Sequence, residues 1–225
     1  MATETTWDHW WWRPGWKVGR SFYTWHVTFG PDSEVGDLVQ RFAPVLTELP
    51  TMAAVERSGL HITLQGIGFT DEVSATDIDR IVTAAGTRLS RREPFDAVIG
   101  PPVVDEETIG MPITDAGGFG QVRDDLQHAI GDVWGEHNVP ERSGRFQPHL
   151  SLAYSTGVAS IPELTDLLAR NELSDIQITD RISAVSLIEL NRDRRRYDWR
   201  EVERIPLADT EFADRQSTGG AEPDL

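Results

Sequence analysis

Two short stretches carry the residues with the clearest chemical potential: Leu60-His61-Ile62-Thr63-Leu64 and Pro148-His149-Leu150-Ser151-Leu152. In each, a histidine and a hydroxyl are separated by one aliphatic residue. An imidazole exchanges protons near neutral pH, its unperturbed pKa being about 6.5. A neutral hydroxyl donates a hydrogen bond to a developing negative charge. Two such pairs facing each other across a groove would supply two proton-transfer groups and two oxyanion donors. That set suits phosphodiester chemistry without a metal ion.

The alternation of apolar and polar residues identifies both stretches as half-buried β-strands, in which residues i and i+2 share a face. His61 and Thr63 therefore project together, and so do His149 and Ser151, while the leucines and isoleucine turn to a core. A third His-x-Thr, His26-Val27-Thr28, lies in the strand-like run Ser21–Phe29. His26 is read there as a groove-lining or structural residue. Gln65 continues the face of Thr63, Arg145 leads into the second stretch and Tyr154 ends it. These three are further candidates for lining the cleft.

Around the motifs the chain reads as alternating strands and helices. A helix follows Asp32 or Ser33 to about Leu49, with Val35, Leu38, Val39, Phe42, Val45, Leu46 and Leu49 as its apolar stripe. Further helices are expected from about Ser74 to Arg91, Phe119 to His137 and Ile161 to Asn171. Strands are expected near Leu60–Phe69, Phe95–Ile99, Glu107–Ile113 and the second motif through Tyr154. Arg181–Leu190 and Trp199–Leu207 form a closing hairpin. Its turn, Asn191–Arg196, holds four arginines, most simply solvated, with a phosphate-facing role as the lesser alternative. His128 and His137 are read as solvated.

The motifs resemble the paired His-x-Thr/Ser signatures of the 2H phosphoesterase superfamily, which includes the bacterial RNA 2′,3′-cyclic phosphodiesterases of the 2′–5′ RNA ligase group. The resemblance rests on His61-Ile62-Thr63-Leu64 and on Phe146-Gln147-Pro148-His149-Leu150-Ser151-Leu152, and the element order from about Phe22 to Leu207 agrees with it. Ser151 replaces the commoner threonine and keeps the hydroxyl. The resemblance implies an α+β fold: two-lobed, pseudo-symmetric antiparallel sheets flanking a central cleft, with helices on the outer faces. It also implies His61 and His149 as general acid and base, Thr63 and Ser151 as phosphate-binding groups, and no cofactor or metal. The substrate expected is a nucleotide or RNA end carrying a 2′,3′-cyclic phosphate or a 2′–5′ linkage. A binding protein that uses the same cleft without turnover, or a 2′–5′ RNA ligase, is the alternative.

The chain has 225 residues, 21 Lys+Arg against 37 Asp+Glu and a formal net charge of −16. So acidic a surface repels long polyanions and favours a small nucleotide or an RNA end over a long duplex. Without cysteine there is neither a disulfide framework nor a thiolate metal site. This is compatible with a reducing cytoplasm, the expected location, and no stretch reads as a membrane span or a signal peptide. Residues 1–20 form a Trp-rich segment with Trp7, Trp10, Trp11, Trp12 and Trp16 around Arg13-Pro14-Gly15. It reads as an aromatic clasp over the domain or, alternatively, a platform on which a base stacks. The main domain spans 21–207, and 208–225 is an acidic tail with little to bury.

Overall fold

The computed structural model describes residues 4–30, 33–142 and 145–208. The acidic tail from residue 209 lies outside them. So does Asp32, which leaves Ser33 as the observed cap of the first helix.

Among the described residues, ten strands and four α-helices run in the order β1 (Phe22–Thr28), α1 (Glu34–Leu46), β2 (Met52–Ala54), β3 (His61–Phe69), α2 (Ala75–Leu89), β4 (Phe95–Ile99), β5 (Val103–Val104), β6 (Thr108–Pro112), α3 (Gly117–Trp134), β7 (His149–Ser155), α4 (Ile161–Arg170), β8 (Ile178–Ile182), β9 (Ala184–Asn191) and β10 (Asp198–Pro206). This is the α+β architecture expected from the sequence. Three helices start on a serine whose hydroxyl accepts a backbone N–H of the first turn: Ser33 from Val35, Ser74 from Asp77 and Ser160 from Glu163. Helix α1 stops at Leu46 rather than near Leu49. Pro44 removes a backbone donor in its last turn, and the Thr47 hydroxyl donates to the Ala43 carbonyl at 2.8 Å.

Eight strands form one antiparallel sheet in the order β10-β9-β1-β3-β7-β6-β5, with β2 also paired to β7. Strands β3 and β7 meet at one register pair, Ile62 opposite Leu150. The sheet is therefore two halves joined at the centre of the two motifs, which gives the expected two lobes. A separate ribbon pairs β4 with β8. Helix α3 lies behind β3, α2 packs on α3 and β10, α1 packs on β2, β7 and β8, and α4 reaches β5. Trp25, Phe42, Ile62, Ile81, Phe119 and Met111 are among the largest fully buried side chains. Each such side chain contributes about 1.5–3 kcal/mol when withdrawn from water.

Two matching irregularities decide which side chains reach the open face. On β3, Trp25 opposes Gln65 and the next residue, His26, opposes Thr63, so Leu64 is an extra residue in the ladder. On β7, Ile109 opposes Ala153 and Gly110 opposes Ser151, so Leu152 is extra there. Each bulge falls directly after the motif hydroxyl and reverses the alternation beyond it. The Leu64 carbonyl accepts from Arg123 Nε on α3 at 3.1 Å, an internal partner for a backbone group beside the bulge.

Residues 4–20 form a strap joining the two halves. Thr5 bridges to Ser160, Trp7 N–H donates to the Glu106 carbonyl at 2.8 Å, and His9 N–H donates to the Ser155 carbonyl at 2.9 Å. At its other end Gly19 N–H donates to Asp193, and Arg20 pairs with Asp71 and Glu72 while stacking on Phe69. Trp10 is buried, whereas Trp7, Trp11 and Trp12 are 41%, 47% and 48% exposed.

Candidate active site

The open face carries a groove of about 930 Å³ that is lined by His26, His61, Thr63, His149, Ser151 and Tyr154 among others. Both motifs thus open into one cavity. Antiparallel pairing of Ile62 with Leu150 sets His61 across from Ser151 and Thr63 across from His149. The two motifs are related by a local pseudo-twofold axis through that apolar pair.

The histidines are held alike. His61 Nδ1 lies 2.8 Å from the Gly59 carbonyl, and His149 Nδ1 lies 3.0 Å from the Gln147 carbonyl. A carbonyl only accepts, so each Nδ1 carries the proton and each neutral ring presents its Nε2 lone pair. Their surroundings differ. His149 is exposed, while His61 is 8% exposed. The His26 ring stacks on His61 at 4.5 Å and 5°, and Tyr197 and Trp199 meet it edge-on at 5.6 and 5.3 Å. Burial drives the His61 pKa down to about 4, with the Gly59 hydrogen bond opposing the shift and the charge of His149 assisting it.

Thr63 is exposed to the groove, and its Oγ1 lies 3.3 Å from His26 Nε2. His26 is 1% exposed, and its Nδ1 is buried with no partner among the described residues. Burial, together with the charge of His61, holds its pKa well below the usual histidine range. A buried lone pair without a partner costs less than a buried N–H without one, so the bare nitrogen is Nδ1 and the neutral Nε2–H donates to Thr63 Oγ1. On the other motif Ser151 is buried beside Tyr154. Burial pushes the Tyr154 phenol above its ordinary range, so it stays protonated.

The bulges sort the remaining sequence candidates. Tyr154 turns into the groove because Leu152 shifts the alternation. Gln65 is turned away by Leu64: it is fully buried, accepts from Gln127 at 2.8 Å and donates to the Gly66 and Pro140 carbonyls. Its place on the groove face is taken by Gly66. Arg145 is exposed and is not among the groove residues. His128 and His137 are exposed, as expected, although His137 sits in a short 3₁₀ turn after α3 rather than in the helix.

Sequence reasoning read residues 1–20 as an aromatic clasp or stacking platform but missed the polar wall that the strap supplies. His9 stacks on Tyr154 at 4.3 Å, its Nδ1 lies 2.9 Å from Glu107 and its Nε2 accepts from the Tyr197 hydroxyl at 2.9 Å. Burial, with Arg13 adding to it, lowers the His9 pKa to about 4 against the opposing pull of Glu107. The sequence signal was only the aromatic density of residues 7–16. Among the described residues no group of three or more His, Asp or Glu side chains is arranged to hold a metal ion. No described helix is long and apolar enough to cross a membrane.

Residues 31–194 match the family model described as the 2′-5′ RNA ligase superfamily. The chain belongs to this superfamily, the 2H phosphoesterases. Solved structures agree on the fold. TT0787 of Thermus thermophilus superposes with a TM-score of 0.66 at 17% identity, covering 84% of this chain and 99% of its own. Escherichia coli LigT complexed with 3′-AMP superposes with a TM-score of 0.62 at 14% identity and the same coverage. LigT complexed with ATP gives 0.60 at 15% identity, again covering 84% of this chain and 99% of its own. No curated protein sequence matches the chain. The superfamily match begins at residue 31, so the strap lies outside it.

Proposed function

We propose that this superfamily member is a metal-independent phosphodiesterase acting on a nucleotide or an RNA end, with a 2′,3′-cyclic phosphate or a 2′–5′ linkage as the bond cleaved. The observation that carries the reading is the mirrored holding of His61 and His149. Two imidazoles, each fixed through Nδ1 to the carbonyl two residues earlier, turn Nε2 into one groove. In-line displacement at phosphorus needs a proton acceptor at the entering oxygen and a proton donor at the leaving one, on opposite sides. The LigT structures complexed with 3′-AMP, ATP and phosphate support a small nucleotide as the occupant.

Their unequal burial supports one assignment of the roles. His61, neutral down to about pH 4, is the general base and takes a proton from the attacking water through Nε2. His149, the exposed partner, is the general acid and delivers a proton from Nε2 to the departing ribose oxygen. Thr63 and Ser151 donate their hydroxyl protons to the non-bridging phosphate oxygens. His26, donating from Nε2 to Thr63 Oγ1, leaves the Thr63 O–H free to point at the phosphate.

The test is incubation with nucleoside 2′,3′-cyclic phosphates and 2′–5′-linked oligonucleotides in excess EDTA. Release of a nucleoside monophosphate or a cleaved oligonucleotide is expected. Activity that vanishes on chelation and returns with one divalent ion would overturn the two-histidine mechanism.

A further inference from the structure

Arg192 is a buried cation that the proposed chemistry does not use. It lines the same groove as the two motifs, yet it is only 4% exposed. A guanidinium carries five N–H donors. Among the described residues Arg192 spends one, Nη2 donating to the His9 carbonyl at 3.1 Å, and makes no ion pair with a carboxylate. Trp10, Trp16 and Tyr197 surround it, with ring centroids 5.6, 5.5 and 5.8 Å from its Cζ. Aromatic faces hold a cation but do not accept its N–H groups in the plane of the guanidinium.

A buried arginine without a carboxylate is unusual in any protein, and more so in one with a net charge of −16. Arg13, from the strap, lines the same groove. The carboxylate on that wall is Glu107, which already receives Trp7, Trp11, His9 and Arg13. Asp105, Glu106 and Glu141 line the groove as well. Asp105 is engaged by Thr108 and by the Glu107 backbone N–H. Tyr197 touches both Arg192 and His61, so one tyrosine ring separates this cation from the proposed base.

We propose that Arg192, assisted by Arg13, forms a second anion subsite that takes a phosphate carried by the substrate in addition to the scissile one. The preferred substrate is then a nucleotide with two phosphate-bearing positions. The second is either a 5′-phosphate on the same nucleoside or the next phosphodiester of an RNA end. This rests on the phosphodiesterase reading for the first phosphate, but binding tests it without turnover.

Calorimetry would compare adenosine 2′-monophosphate, adenosine 2′,5′-bisphosphate and the dinucleotide ApA bearing a 3′-phosphate. The wild type should bind at least one of the two-phosphate ligands about tenfold or more tightly than the monophosphate, as charge-assisted hydrogen bonds require. The ligand that gains identifies the source of the second phosphate. Arg192→Met should abolish that gain. Should Arg192→Met not fold, Arg13→Met, at a half-buried strap position, should reduce the gain. Equal binding of all three ligands by the wild type would overturn the proposal, as would a gain that survives in folded Arg192→Met, or in Arg13→Met where that variant stands in. A wild type that prefers two phosphates yet cleaves no phosphodiester would overturn the enzymatic reading and leave the subsite standing.

Discussion

Ile62 and Leu150 face one another as the register pair joining β3 to β7, and the four polar side chains of the motifs are placed around them. Each motif hydroxyl lies across from the other motif's histidine. His61 thus lies beside Ser151, and His149 beside Thr63, so each pair draws one residue from each lobe.

His61→Ala and His149→Ala should each lower turnover by about 10² to 10⁴, the usual worth of a general acid or base. The two should differ in their profiles of kcat/KM against pH. A base must be unprotonated, so the wild-type rate should fall on the acid side as pH passes through about 4, where burial has placed His61. That limb should be missing in His61→Ala and present in His149→Ala. The reverse pattern would exchange the roles.

The hydroxyls do not titrate in the working range, so their loss should change height and not shape. Thr63→Val and Ser151→Ala should lower the rate maximum while both limbs stay in place. Removing one oxyanion donor costs roughly 3–4 kcal/mol where it has been measured. Full activity in either variant would place that hydroxyl outside the phosphate site.

His26→Phe keeps a flat ring against His61 but removes the Nε2–H that meets Thr63. A net hydrogen bond is worth about 0.5–1.5 kcal/mol, or roughly a 2- to 13-fold change. A fall in kcat of that size is expected, with the acid limb unmoved. When Thr63 is already valine, His26→Phe should cost nothing further. Additive losses in the double variant would exclude action through Thr63.

Stability should depend on these buried rings. His9, His26 and His61 all have depressed pKa values in the folded state, whereas an unfolded histidine protonates at about 6.5. Between about pH 6.5 and 4 the unfolded chain binds more protons, so stability is full above about 6.5 and is lost as pH falls toward 4. His26→Phe removes one of the three groups. Its Tm relative to wild type should therefore rise steadily as pH is lowered from 7 to 4.5. A constant difference would show that His26 does not contribute to the acid sensitivity.

Much of this was legible in the sequence because the motif strands announce themselves by alternation. The faces of His61, Thr63, His149 and Ser151 follow from period two alone. The same rule misplaced Gln65, since nothing in Leu64-Gln65 marks the ladder slip that buries the amide against Gln127. Strand β8 was passed over because Ile178-Thr-Asp-Arg-Ile is short and half exposed, and only its pairing with β4 makes it a strand. The strap's contribution was also hidden. His9 meets Tyr197 and Arg192 meets His9 across most of the chain length, and local pattern carries no record of such contacts.

The paired bulges bear on how this protein can change over time. In each motif strand the segment before the extra leucine serves the groove, and the segment after it serves a different set of neighbours in opposite phase. Substitution at Leu64 or Leu152 by another aliphatic residue preserves both phases. Deletion of either residue would close its bulge: Gln65 would follow Thr63 directly and stay opposite Trp25 on the buried face, and Tyr154 would keep its place on the groove face. Deletion of Ile62 or Leu150 would instead put each motif histidine and its hydroxyl on opposite faces. The motif strands should therefore tolerate loss of the extra leucine better than loss of the aliphatic residue between histidine and hydroxyl.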